Sequence, residues 1–267
     1  MSENAADCAL IAEAAVEVGK IGLGYFKKDP SVWYKDGNSP VSEADMAIDQ
    51  RLRAILRSAR PDYGWLSEES EDDGSRGVAS RLFVVDPIDG TRGFINGHKS
   101  WCVSVAVVEN GRPVAGVLEC PARRETYTAI VGEGAWLNGK PLQLSRSRPA
   151  KHEPWRIVGP KSLAKSFRNH RARELQMLDF VPSLAYRLAM IASGEAHAVF
   201  VRPNAHDWDL TAADLIVGEA RGCLSDIDGN RPLYNRPNLR HGILVASGLD
   251  WHDEALDLAR AIKMAAQ

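Results

Sequence analysis

Segment 84–91, with the sequence VVDPIDGT, contains two aspartates spaced three apart and a threonine. The apolar run 82–85 is typical of a buried strand. Pro87 has a fixed φ and no N–H, and Gly90 allows a backbone conformation that other residues resist. We therefore expect the strand to end in a rigid acidic turn at one edge of a sheet. Carboxylate and hydroxyl oxygens are ligands that Mg²⁺ prefers, so the segment predicts a metal-assisted phosphoryl-transfer site.

Further carboxylates lie at the ends of other predicted elements. Glu68 and Glu69 end a short strand within 61–70. Adjacent side chains on an extended chain point to opposite faces, so one of the two faces a given site and the other acts behind it as a base or lies in solvent. Asp209 falls in the first turn of a predicted helix, where the helix dipole favours a carboxylate. Helix capping is therefore a serious alternative role for Asp209.

Asp45 has two interpretations. A helix is predicted from about 42 to 59, and Ser42 with Asp45 three residues later matches the acidic form of the capping pattern. The alternative is chemical: Asp45 accepts the proton of an attacking water through the hydroxyl of Thr91. Bound Mg²⁺ would neutralise a phosphate ester and stabilise the leaving alkoxide. Neither a G-x-S-x-G motif nor a Walker loop is present, so a serine hydrolase and a P-loop NTPase are not supported.

The elements that position these residues predict an α+β first half and an α/β second half. Two amphipathic helices precede residue 60, and a meander of antiparallel strands follows over 102–131. Composition shifts to Ser, Arg, Pro and Lys around 144–154, which suggests a domain boundary. We therefore expect an N-terminal α+β domain, 1–147, with the metal-binding motifs. A C-terminal α/β domain, 148–267, would contribute the last metal ligand and substrate contacts.

Composition narrows the function classes. The chain has 267 residues, of which 45% are hydrophobic and 25% charged, and a formal net charge of −2. This charge gives no general case for binding nucleic acid or membranes. The four cysteines are scattered, as in a reduced cytoplasmic protein. The N-terminal segment lacks the features of a signal peptide, and no apolar run is long enough to span a bilayer, so we expect a cytoplasmic location.

Three motifs identify a resemblance. The DPIDGT run at 86–91, the EES run at 68–70 and the WDLTAA run at 208–213 resemble the three signatures of the inositol monophosphatase superfamily. The segment 39–45 also resembles the start of that family's first-helix segment, and the order and spacing match along essentially the whole chain. The resemblance implies a layered αβαβα sandwich, a Mg²⁺-dependent phosphomonoesterase acting on a small phosphorylated metabolite, lithium sensitivity and, usually, a homodimer.

The resemblance also implies roles for individual residues. Two or three Mg²⁺ ions would be held by Glu68, Asp86, the carbonyl of Ile88, Asp89 and Asp209. Thr91 with Asp45 would activate water, and the backbone amides of Gly90 and Thr91 would bind phosphate. We add Glu69 as a candidate catalytic base behind the ligands, on the alternation argument above.

Substrate choice depends on a departure from the family pattern. Inositol-phosphate enzymes carry a glutamate shortly before Trp-Asp, whereas this chain has Arg202 in that region. The TRGFI run at 91–95 and Ser183 resemble the bacterial 3′(2′),5′-bisphosphate nucleotidases. We therefore expect 3′-phosphoadenosine 5′-phosphate as substrate, bound by Arg92, Ser183 and Arg202, with Arg202 bidentate on the second phosphate. Inositol 1-phosphate and histidinol phosphate are the alternatives, since histidinol phosphatases also carry the DPIDGT-R motif.

A minor alternative lies in another class. The segment 151–173 is rich in Lys and Arg. The favoured interpretation of this segment is a solvated helix face, and the alternative is a contact for a second phosphate. A non-catalytic RNA-associated module using this stretch is a third hypothesis, which the near-neutral net charge and the complete acidic set do not favour.

Overall fold

The computed structural model describes residues 2–35, 39–144, 149–150, 153–159 and 174–265. Within these residues the helices are α1 (Glu3–Tyr25), α2 (Glu43–Ala59), α3 (Thr91–Ile95), α4 (Leu184–Ala192), α5 (Asp207–Glu219) and α6 (His252–Ala265). The strands are β1 (Val32–Lys35), β2 (Ser39–Ser42), β3 (Gly64–Ser67), β4 (Arg81–Asp89), β5 (Cys102–Glu109), β6 (Arg112–Cys120), β7 (Glu125–Ile130), β8 (Gly134–Leu137), β9 (Lys140–Leu142), β10 (Trp155–Val158), β11 (Leu175–Met177), β12 (Ala198–Val201), β13 (Gly222–Asp226) and β14 (Leu244–Gly248).

Two large sheets carry the architecture. The first has the order β3-β4-β5-β6-β7-β8-β9, with β3 and β4 parallel and the other neighbours antiparallel. The second has the order β11-β10-β12-β14-β13, in which β14 runs antiparallel to both of its neighbours. Strands β1 and β2 form a separate antiparallel pair. The sheets are therefore mixed.

Helices cover both faces of the larger sheet. Helices α1 and α2 pack on one face, and α4 and α5 lie between the two sheets. Helix α6 packs on the outer face of the smaller sheet. Since β4 and β5 are covered on both faces, their side chains are buried almost without interruption, and their sequences are apolar rather than alternating. The predicted αβαβα sandwich is confirmed.

The end of β4 differs from the predicted turn. The strand continues through Pro87 to Asp89 because β5 stays paired with it, Asp86 opposite Ser104 and Asp89 opposite Cys102. A register shift between the two aspartates marks a bulge, which bends the strand and re-aims its side chains. The two carboxylates therefore belong to a bulged strand end, and the expected separate turn was wrong.

The remaining organisational predictions have different outcomes. No helix among the described residues has the length and apolar character needed to cross a membrane. The proposed boundary between 147 and 148 lies outside the described residues, so the division into two domains stays a prediction. Most of the basic stretch, 151–152 and 160–173, also lies outside the described residues, and the hypotheses that depend on it gain no structural support.

Candidate active site

Carboxylates from two elements meet at one point, and a third element brings another carboxylate to the same cavity. Asp86 and Asp89 come from the bulged end of β4, and Asp209 comes from the first turn of α5. One oxygen from each lies within 4.8 Å of the others. Glu68 follows β3, the parallel neighbour of β4, and its backbone N–H donates to the carbonyl of Val85 at 3.2 Å. The sheet therefore delivers Glu68 beside the aspartates.

These residues line a cavity of ≈ 570 Å³. Its lining includes the following residues from the predicted site: Glu68, Asp86, Ile88, Asp89, Gly90, Thr91, Arg92 and Asp209. Asn96, His98 and Phe180 also face it. Most of the sequence-predicted residues thus share one cavity, but four do not line it, namely Asp45, Glu69, Ser183 and Arg202.

Burial gives the carboxyl groups unusual acidities. Burial, followed by repulsion from Asp209 and Glu69, raises the pKa of Glu68 to about 8. Burial and repulsion from Asp89 raise the pKa of Asp209 to about 7. The pKa values of Asp86 and Asp89 are also raised, chiefly by burial. In this environment each negative charge is costly unless a cation compensates it.

The donor set fits a hard cation. Oδ1 of Asp86 is buried and has no hydrogen-bond partner, which is costly for a carboxylate oxygen. The three residues whose ligand atoms come together here, Asp86, Asp89 and Asp209, all offer carboxylate oxygens. Mg²⁺ prefers such oxygen ligands.

Asp45 uses its two oxygens for different purposes. Oδ2 accepts the backbone N–H and the hydroxyl of Ser42, at 2.9 and 2.5 Å, in a capping box that starts α2. Oδ1 faces the hydroxyl of Thr91 at 3.2 Å. That hydroxyl also lies 2.9 Å from the carbonyl oxygen of Ile88, so its single hydrogen has two acceptors. The capping role and the contact with Thr91 therefore coexist, and burial raises the pKa of Asp45.

Glu69 faces away from the cavity. Its carboxylate forms an ion pair with Lys35 of β1, and the same ammonium group donates to the carbonyl of Glu68 at 3.0 Å. Burial raises the pKa of Glu69, while the hydrogen bond from Lys35 opposes that rise. Of the pair Glu68 and Glu69, Glu68 lines the cavity and Glu69 does not.

Ser183 lies behind the aspartates. It is fully buried, and its hydroxyl donates to Oδ2 of Asp89 at 2.5 Å. The hydroxyl oxygen of Ser183 accepts the N–H of Tyr186 at 2.9 Å and so caps α4. Oδ2 of Asp89 also accepts the N–H of Ala185 at 2.6 Å. Because these bonds occupy the hydroxyl, we revise the expected role of Ser183 from substrate contact to positioning of Asp89.

Arg202 is exposed at the end of β12 and is absent from the cavity lining, whereas Arg92 belongs to it. Sequence reasoning missed Arg187, which lies one helical turn beyond Ser183 on α4. Its Nε donates to the carbonyl of Ser183 at 3.2 Å, and it is attracted by Asp89 and Asp209. Burial lowers the pKa of this guanidinium. Its position four residues after Ser183, the helix cap, indicates that the two residues lie on the same face of α4. This spacing was the available sequence signal.

Comparison with known proteins identifies the family. A sequence model of the inositol monophosphatase family matches residues 4–264. The chain belongs to this family. The crystal structure of extragenic suppressor protein SuhB from Bartonella henselae has the same fold, with a TM-score of 0.83 and 28% identity, covering 97% of this chain and 98% of that chain.

Two curated relatives are equally similar. A histidinol-phosphatase of Chlorobaculum parvum is 32% identical over 237 residues, covering 87% of this chain and 90% of its own length. A Streptomyces griseus protein named glucose-1-phosphate thymidylyltransferase is 32% identical over 259 residues, covering 93% of this chain and 96% of its own length. The inositol monophosphatase family consists of metal-dependent phosphatases, and this member is a phosphomonoester hydrolase.

The raised pKa values of the buried carboxyl groups predict how the stability of the metal-free protein depends on pH. Glu68 has a folded pKa of about 8 against an ordinary value of 4.5, so its favourable contribution to stability, present at low pH, is lost as pH rises toward 8. Between the ordinary pKa of 4.5 and the folded pKa of about 8, wild type in EDTA should lose unfolding free energy relative to a Glu68→Gln variant. The loss should reach up to about 1.4 kcal/mol per pH unit. Mg²⁺ should restore more stability at pH 8 than at pH 6. Urea unfolding measures both effects.

The control for this prediction is Glu71→Gln, which removes an exposed carboxylate three residues away. It should follow wild type at every pH. A difference between wild type and Glu68→Gln that is independent of pH would contradict the raised pKa of Glu68.

Proposed function

We propose that this family member is a Mg²⁺-dependent phosphatase that hydrolyses 3′-phosphoadenosine 5′-phosphate by direct attack of water. The single observation that carries the proposal is the arrangement at one cavity wall. The cluster of Asp86, Asp89 and Asp209 lies there together with Thr91, whose hydroxyl contacts the buried Asp45. A metal site and a base for water are thus adjacent, which favours hydrolysis over transfer to a second substrate.

The residues proposed to hold two or three Mg²⁺ ions are Glu68, Asp86, Asp89, Asp209 and Ile88 through its carbonyl. When bound, the ions neutralise the phosphate ester and acidify a bound water. Ser183 and the N–H of Ala185 keep Asp89 oriented toward the cluster through their hydrogen bonds. Removal of a hydrogen bond that orients a metal ligand commonly lowers metal affinity by ten- to a hundredfold.

Proton transfer is assigned to Thr91 and Asp45. The Thr91 hydroxyl gives its hydrogen to Oδ1 of Asp45 while it accepts one from the attacking water. The net result is a hydroxide at the phosphorus and a protonated Asp45. Burial of Asp45 favours this outcome, because it raises the pKa of the carboxyl. The Lys35–Glu69 ion pair holds the strand end behind Glu68, and we assign Glu69 a positioning role.

Two residues of the lining support a nucleotide with a second phosphate. Arg92 supplies a guanidinium at the cavity, and an arginine fork matches a phosphate group. Phe180 also lines the cavity and is 55% exposed, so its ring is accessible for stacking with a base. Arg92 therefore takes the role first expected of Arg202. Histidinol phosphate is the second candidate, because a relative 32% identical to this chain is a histidinol-phosphatase.

The catalytic proposal is tested with Asp45→Asn. Loss of the proton acceptor should lower kcat by about 10²- to 10⁴-fold. Mg²⁺ affinity, measured by calorimetry, should stay within about twofold, because the carboxylate does not line the metal-binding cavity. The exposed Asp62→Asn serves as the control and should match wild type. A variant at Asp45 with wild-type kcat would overturn the assignment of the base.

The substrate proposal is tested by kcat/KM on four compounds: 3′-phosphoadenosine 5′-phosphate, histidinol phosphate, inositol 1-phosphate and 5′-AMP. The first should be preferred by at least tenfold. Arg92→Ala and Phe180→Ala should each reduce kcat/KM for it more than for inositol 1-phosphate, which lacks a second phosphate and a base. Arg202→Ala is the matched arginine control. If it alone impairs the bisphosphate, the first expectation was right and the present assignment is wrong.

A further inference from the structure

A second cavity of ≈ 630 Å³ lies beside the loop that joins β13 and β14. It shares no lining residue with the cavity of the candidate active site. Its walls carry three arginines and a histidine, Arg231, Arg236, Arg240 and His241, against one carboxylate, that of Asp226. The cavity is thus strongly basic in a chain whose formal net charge is −2.

Among the described residues the arginines of this cavity form no close ion pair with a carboxylate, although the charge of Arg231 acts on the buried Asp214. Within the part of the chain that the structure describes, no carboxylate lies within 4.0 Å of the guanidinium nitrogens of Arg231, Arg236 or Arg240. The carboxylate of Asp226 is occupied instead by the backbone N–H groups of Asp228 and Asn230, each at 2.9 Å. Arg236 and Arg240 thus have no close carboxylate among the described residues, so an added anion would be attracted to them.

The walls of the cavity are held by buried contacts. Tyr234 is 2% exposed, and its hydroxyl donates to Asp214 at 2.9 Å. The buried Asp207 accepts the N–H of Asn235 at 2.6 Å and pairs with Nε2 of His241 at 2.7 Å. Arg76 donates to the side-chain oxygen of Asn235 at 3.0 Å. Because these contacts already fix the loop, its backbone does not have to be ordered when an anion binds.

We propose that this cavity binds a small multivalent anion, namely inorganic phosphate or the phosphate group of a small metabolite. Arginine forks match the oxygens of phosphate bidentately. The concave shape suits a small molecule, and Pro232, Leu233 and Pro237 add apolar surface for an organic part. A long polyanion such as RNA needs an extended basic surface instead.

The cavity adjoins the start of α5. Nε of Arg240 donates to Nε2 of His206 at 3.2 Å, and the backbone N–H of His206 donates to Oδ2 of Asp209 at 2.6 Å. The ring of His206 stacks on that of Trp208, with centroids 4.5 Å apart and planes 5° from parallel. An anion bound to Arg240 therefore lies close to the His206 ring that stacks on Trp208. We expect the fluorescence of Trp208 to report whether the cavity is occupied.

The test is calorimetric titration of EDTA-treated protein with inorganic phosphate. Without metal the candidate active site is acidic and repels phosphate, so this experiment reports the second cavity and does not depend on the proposed activity. We expect one saturable site per chain and a change in Trp emission that Trp208→Phe abolishes. The double variant Arg236→Gln/Arg240→Gln should weaken binding at least tenfold. Both arginines are exposed, so circular dichroism should remain that of wild type.

Two single variants serve as controls. Arg51→Gln removes an exposed arginine from α2, and Arg92→Gln removes the arginine of the other cavity. Both should bind phosphate as wild type does. Absence of binding to metal-free wild type overturns the proposal, and so does equal binding by the double variant. Loss of binding in Arg92→Gln assigns the phosphate to the first cavity, with the same consequence. Binding of single-stranded RNA without binding of phosphate also contradicts it.

Discussion

The burial of several carboxylates beside one another, away from water, is the constraint on which the rest of the site depends. Asp86 and Asp89 are almost fully buried, and Glu68 and Asp209 lie beside them. The pKa values of all four carboxyl groups are raised, chiefly by burial, because a buried negative charge is costly without a cation. The surrounding fold holds the groups together nevertheless, through the paired strands β3 and β4 and the starts of α4 and α5. In the proposed metal site, a bound cation would offset this cost.

The fold holds these groups by sharing oxygens between structural and chemical roles. Asp45 gives one oxygen to the cap of α2 and the other to Thr91. Asp209 accepts the N–H of His206 in the cap of α5 while it also takes part in the acidic cluster. Asp89 is fixed from behind by Ser183, the cap of α4. Helix starts therefore orient the site, and capping and ligation are not competing explanations of these aspartates.

Local patterns predicted the parts of the site that lie on single elements. The capping box of α2, the strands before Glu68 and Asp86 and the helix start at Asp209 could all be read from spacing. Tertiary contacts decided the rest. Continued pairing with β5 extended β4 through Pro87, and packing of α4 against the strand end turned Ser183 toward Asp89. No local pattern indicates which of several arginines reaches the cavity, because that depends on where separate loops meet.

We propose that the cluster of Asp86, Asp89 and Asp209 is a metal site. Anomalous diffraction from crystals soaked in Mn²⁺, a substitute for Mg²⁺ with oxygen ligands, locates the ions directly. We expect anomalous peaks within about 2.5 Å of oxygens of all three aspartates, and loss of at least one peak in Asp89→Asn. Peaks confined to other parts of the surface, with the cluster empty at saturating Mn²⁺, would contradict the account.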